Sequence, residues 1–150
     1  MKKLMLAAAT VAALTTALPA AAQFAKPEDA IKYRKSGMFL MANHFGRVGA
    51  MVNGRVPFDA KSVEANAEIA TMMSKIPFAA FTEGTDKGDT KAKPEIWAEA
   101  DKFRAATSTM QEEMAKLNTV AKTGNQDAIK AQFGKVGQSC KACHDNYRKE

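Results

Sequence analysis

Apolar residues recur every seven positions from Ile31 through Met38 and Phe45 to Val52, with Met41 and Val48 between them. This spacing puts one buried face along a helix from about Pro27 to Asn53. Pro27 suits the first helical position, Glu28 and Asp29 complement the helix dipole, and Gly54 is a stop. Gly37, Gly46 and Gly49 each cost about 1 kcal/mol relative to alanine inside a helix. They point to close approach of a neighbouring helix or a cofactor, or to chance placement offset by packing. Asp59 caps a second helix whose face is Val63, Ala67, Ala70, Met73 and Ile76, until Pro77 forbids regular continuation. Thr82 to Lys93 is rich in Gly, Asp, Lys and Thr and reads as an exposed loop.

Pro94 opens a third helix, with Ile96, Ala100, Phe103, Thr107, Met110, Met114, Leu117 and Ala121 at spacings of three and four and Gly124 at its end. Trp97 is expected in the core. Asn125 caps a fourth helix with the face Ile129, Phe133, Val136, Cys140, Cys143/His144 and Tyr147. Four amphipathic helices joined by two short connections and one longer one predict an all-α fold, an antiparallel four-helix bundle. Such bundles hold cofactors between facing side chains.

Composition adds a compartment. Lys2 and Lys3, the apolar run Leu4 to Leu18 and the A-x-A site Ala20-Ala21-Ala22 form a secretory signal, cleaved after Ala22. The run holds three threonines and is shorter than the ~20 residues a membrane span needs. Residues 1–22 are therefore the removed signal and 23–150 a single domain exported to the periplasm. The formal charge of +6 falls to about +4 without the signal lysines, and it is spread along the chain. A nucleic-acid footprint would instead be a concentrated basic patch. The mild excess suits an acidic redox partner, and a solvated surface accounts for it equally.

The candidate chemistry sits near the C-terminus, on the buried stripe of the fourth helix. The two cysteines of the chain form Cys140-Lys-Ala-Cys143, followed at once by His144. C-x-x-C-H is the haem c attachment pattern. The thiols add across the haem vinyl groups and the imidazole becomes an axial ligand of the iron. Three other readings are weaker. A thioredoxin-like couple needs a strand-to-helix setting that does not precede the motif. Zinc would have to recruit the distant His44 as a fourth ligand. A disulfide between positions three apart would restrict the unfolded chain little.

With those residues in view, the sequence resembles the cytochrome c′ family, the class II c-type cytochromes. The matching stretches are Ile31-Lys-Tyr-Arg34, Asn43-His-Phe-Gly-Arg47, Pro57-Phe-Asp59, Pro94-Glu-Ile-Trp97 and Cys140-Lys-Ala-Cys-His-Asp145, and the likeness runs from Gln23 to the end. The resemblance implies a homodimer with one covalent haem c per chain near the C-terminal helix. It also implies a five-coordinate high-spin iron that binds nitric oxide and carbon monoxide, in nitric oxide handling or electron transfer. A catalytic nitric oxide or peroxide reductase is not expected, because the residues around the motif form no acid–base cluster beyond Asp145.

The resemblance distributes roles among further residues. Met38 stands where the family places a bulky apolar side chain over the sixth iron site. In low-spin class II relatives a methionine there is the sixth ligand, so this residue either blocks the iron or binds it, and binding would make the protein a six-coordinate electron carrier. An apolar distal face favours nitric oxide and carbon monoxide over dioxygen, which needs polar help. Arg34 resembles the family arginine that pairs with a haem propionate, and Lys35 stands where close relatives often have Gln. Arg148, four residues after His144, resembles the basic residue of the proximal pocket; a helix-end cation is the plainer reading. Phe78 and Phe81 are candidate haem walls or simple core. His44 lies off the Met38/Phe45 stripe and reads as a flank or dimer contact, and Asp145 as solvent-facing.

Overall fold

The computed structural model describes residues 23–150, so the signal segment 1–22 lies outside the described residues. Five α-helices follow in order: α1 (Pro27–Val52), α2 (Ala60–Met73), α3 (Glu95–Ala98), α4 (Ala100–Ala121) and α5 (Gln126–Tyr147), with a short 3-10 turn at Pro77–Ala80. The long ones form the four-helix bundle: α1 packs on α2 and α5, and α4 packs on α2 and α5. No described helix is long and apolar enough to cross a membrane.

The expected caps are in place. Asp59 Oδ1 accepts from the Ser62 N–H at 2.7 Å, and Asn125 Oδ1 from the Ala128 N–H at 3.0 Å, each satisfying a donor that a helix start leaves open. Past Asn53, Gly54 takes φ 70°, the left-handed conformation that ends α1 and that glycine adopts without strain. α2 stops at Met73, earlier than the stripe to Ile76 predicts. The chain tightens there into the 3-10 turn begun by Pro77.

The third predicted helix is two. Its backbone leaves the helical region at Glu99, with φ −120° and ψ 45°. The break turns α3 so that the Trp97 indole N–H reaches the Phe81 and Thr82 carbonyls, both at 3.1 Å, while Ile96 is buried. Ala100, predicted on the buried stripe, is exposed as a result of that swivel. The segment 82–93 is also less exposed than its composition suggests: Thr85 is fully buried and Ala92 nearly so.

Most of the core lies at one end of the bundle, where Val48, Val63, Leu117, Ile129 and Val136 are fully buried. A second cluster gathers Ala92, Ile96 and Tyr147 against Phe81, Trp97 and Phe103. α1 and α5 pinch together beside the first. A Cβ on Gly49 would stand 2.5 Å from Phe133 Cζ, and Phe133 stacks on Phe45 with ring centroids 4.2 Å apart. Gly37 likewise faces Pro77, whereas Gly46 meets nothing within 4 Å, so close approach explains two of the three glycines in α1.

This contrast gives a pair of expected outcomes. Gly134 in α5 has open space around it, so Gly134→Ala gains helix propensity and raises stability by up to about 1 kcal/mol. Gly49→Ala gains the same propensity but must displace a stacked ring, and overpacking of that kind costs about 1–3 kcal/mol. Chemical denaturation of the two variants should give opposite signs.

Candidate cofactor site

Beyond the pinch a cavity of about 1190 Å³ opens between α1 and α5, closed at the back by α4 and the 3-10 turn. It exceeds the ~300–1,000 Å³ usual for a small-molecule pocket. α1 contributes Met38, Met41 and Phe45, and α4 contributes Phe103, Met110 and Met114. Phe78 and Phe81 stand beside Phe103, whose ring lies 6.1 and 5.1 Å from theirs in edge-to-face contact, and Phe103 meets Tyr147 in the same way at 5.2 Å. Cys140, Cys143, His144 and Arg148 line the α5 side. All eight predicted site residues therefore border one space, Arg34 among them.

The motif is built as its chemistry requires. Cys140, Cys143 and His144 fall on consecutive turns of one face of α5, and both cysteines are free and half-buried. Burial raises the Cys140 thiol, and burial with the neighbouring Cys140 pushes Cys143 up to about 11. His144 is the more exposed of the three. Partial burial and then the charge of Arg148 lower its pKa, against an opposing pull from Asp145. Neutral imidazole, the form a metal binds, is thereby favoured. These residues fit a covalently held macrocycle: two thiols on one wall, an imidazole beside them and aromatic rings lining the same cavity. His44 lies outside the cavity, on the α1–α2 seam, where its Nδ1 pairs with Asn66 Oδ1 at 2.8 Å. It is a flank residue, and the zinc reading loses its fourth ligand.

Arg34 is the charged residue most deeply set in the wall, 3% exposed. Its guanidinium donates to the Ala80 carbonyl at 3.2 Å, to Thr85 Oγ1 and the Thr85 carbonyl, both at 2.6 Å, and to Thr90 Oγ1 at 2.7 Å. It also lies 4.4 Å from the Phe81 ring centroid. Four of its five donors hold the chain together and Nε–H remains for a carboxylate. Lys35, one residue on, pairs with Asp89 across the cavity mouth.

Met41, Ile96, Phe103, Met110, Met114 and Tyr147 also line the cavity and escape sequence reasoning about the site. They carry the same spacing as residues packed in the core, so periodicity does not separate wall from interior.

The sequence pattern of the family described as Cytochrome C' matches residues 29–148. A cytochrome c' of Alcaligenes xylosoxydans xylosoxydans is 50% identical over 128 residues, covering 85% of this chain and 99% of the relative. The crystal structure of cytochrome c' from Rubrivivax gelatinosus superposes with a TM-score of 0.82 at 48% identity, covering 85% of this chain and all of that one. Two structures of variants of the Alcaligenes xylosoxidans protein, one a nitric oxide complex and one with carbon monoxide bound, each match with a TM-score of 0.80 at 48% identity over 85% of this chain. They cover 99% and all of those chains.

The Arg34 network predicts an unequal pair of substitutions. Arg34→Lys keeps the charge but replaces a planar fork by a point donor, leaving buried oxygens unpaired. It should lower stability by about 1–3 kcal/mol in denaturant titration. Lys35→Gln breaks an exposed ion pair and should leave the midpoint nearly unchanged.

Proposed function

This chain belongs to the cytochrome c′ family, whose members carry covalent haem c, and on that premise we propose that it binds nitric oxide and carbon monoxide at a five-coordinate iron held by His144. The observation that carries this reading lies on the α1 wall of the cavity: its Met38, Met41 and Phe45 side chains carry no hydrogen-bond donor, while the donors of the same wall, Lys32, Arg34, Lys35 and Ser36, all precede Met38. Without a donor, bound dioxygen gains no polar stabilisation, whereas the two neutral gases need less. Gas complexes of relatives with the same fold support it.

The remaining roles follow from the chain's own residues. Cys140 and Cys143 anchor the group, and Met38 covers its open face without binding. Phe78 and Phe81 flank it, and Arg34 offers its last N–H to a propionate. Arg148 lies on the proximal side, where a cation can meet a ligand that displaces His144. The protein acts in the periplasm after cleavage behind Ala22, as a binding protein in nitric oxide handling or electron transfer. It pairs with a second copy, for which Phe39 on α1 and Met72 on α2, 66% and 55% exposed, supply apolar surface.

A thioether on the cavity wall gives the rival reading its footing: Met38 as sixth ligand of a low-spin electron carrier. Absorption and resonance Raman spectra decide between them. High-spin signatures in both oxidation states, with prompt carbon monoxide uptake by the ferrous protein, are expected. A far-red charge-transfer band of the oxidised protein that disappears in Met38→Leu would overturn the gas-binding reading. Arg148→Ala is expected to change nitric oxide release while carbon monoxide binding stays nearly intact; equal effects on both gases would remove the proximal role.

A further inference from the structure

The segment between Phe81 and Pro94 touches both sides of the site. On the α1 side, Arg34 holds it through Thr85 and Thr90. On the α5 side, Ala92 and Arg148 form an antiparallel bridge. The Lys93 N–H donates to the Tyr147 carbonyl at 3.0 Å and the Lys149 N–H to the Lys91 carbonyl at 2.8 Å. Lys93 Nζ adds a bond to the Asp145 carbonyl at 2.9 Å. One hydroxyl joins the two sides: Thr90 Oγ1 accepts from the Arg34 guanidinium at 2.7 Å and from the Ala92 N–H at 3.1 Å. The path closes on the motif itself, because the Arg148 N–H donates to the His144 carbonyl at 3.0 Å.

The last turn of a helix leaves its carbonyls without intrahelical partners, and helix ends fray first. Here the Tyr147 carbonyl receives the backbone N–H of Lys93 and the Asp145 carbonyl its ammonium. His144 lines the cavity from this same last turn of α5. Its position depends on the backbone that carries it, and that backbone depends on a segment anchored by Arg34.

We propose that residues 85–93 are a tether for the last turn of α5, which makes Thr90 and Lys93 positioning residues that set how readily His144 gives up the iron to an incoming ligand. The proposal rests on the gas-binding reading above. It differs from a mechanism in which the imidazole leaves by side-chain rotation alone, since rotation needs no movement of the bridge.

The haem-loaded full chain tests it, with Thr90→Val, which removes the shared acceptor at constant shape, and Lys93→Met, which removes the bond to Asp145. Three readouts apply: amide exchange at Lys149, the paramagnetically shifted His144 ring protons of the ferric protein, and the rate of His144 loss from the nitric oxide complex. Faster exchange, moved ring-proton shifts and a His144 loss roughly two- to tenfold faster are expected. Unchanged ring-proton shifts and an unchanged loss rate overturn the proposal, whether or not amide exchange rises. Should Thr90→Val fail to fold, Lys93→Met decides alone. A wild-type ferrous protein that takes up neither gas would instead overturn the gas-binding reading, and the ring-proton shifts would still judge the tether.

Discussion

Everything in this bundle depends on α1 and α5 meeting at one end and standing apart at the other. At the closed end the core is ordinary: Val48, Val63, Leu117 and Ile129 have no exposed surface, and Phe45 and Phe133 lie ring on ring. At the open end helix-on-helix packing gives way to a wall of rings. Phe81, Phe103 and Tyr147 touch edge to face, a geometry that aromatic rings favour and that leaves a free surface toward the gap. Met38 sits on that boundary, half-buried, with core on one side and cavity on the other.

The polar interactions divide the work differently. Surface ion pairs such as Lys102 with Glu99 and Lys141 with Asp145 join neighbours on one helix and organise little beyond it. The buried guanidinium of Arg34 reaches residues 46 to 56 positions away, and these give the 82–93 segment its shape. An always-charged group with a fixed fork of donors suits that task, because every bond it makes constrains a direction as well as a distance. The site thus has a firm α1 side, where Arg34 and Met38 are one turn apart, and a lighter α5 side, where His144 is carried on the last turn of the helix.

Much of this was legible in the amino-acid sequence because it is local. Asp59 and Asn125 cap the helices they precede, and Cys140, Cys143 and His144 share a face because a helix turns every 3.6 residues. What escaped is non-local. The break at Glu99 answers a tryptophan reaching back to the Phe81 and Thr82 carbonyls. The burial of Thr85, in a stretch of loop composition, answers an arginine 51 residues earlier. Phe103, Met110 and Met114 hid for another reason: wall and core use the same residues at the same period, and only the splay of the helices tells them apart.

That splay has a mechanical reading. Gly49 lets Phe133 lie directly against the α1 backbone, so this contact between the two helices is held by a hydrogen atom in place of a methyl group. From there to Met38 is about 16 Å of helix at 1.5 Å per residue, a stiff arm pivoting on the smallest side chain available. A shift of a few tenths of an ångström at Gly49 would be carried along that arm to the cavity wall that Met38 lines. The width of the cavity beside Met38 is therefore coupled to a residue that does not line it.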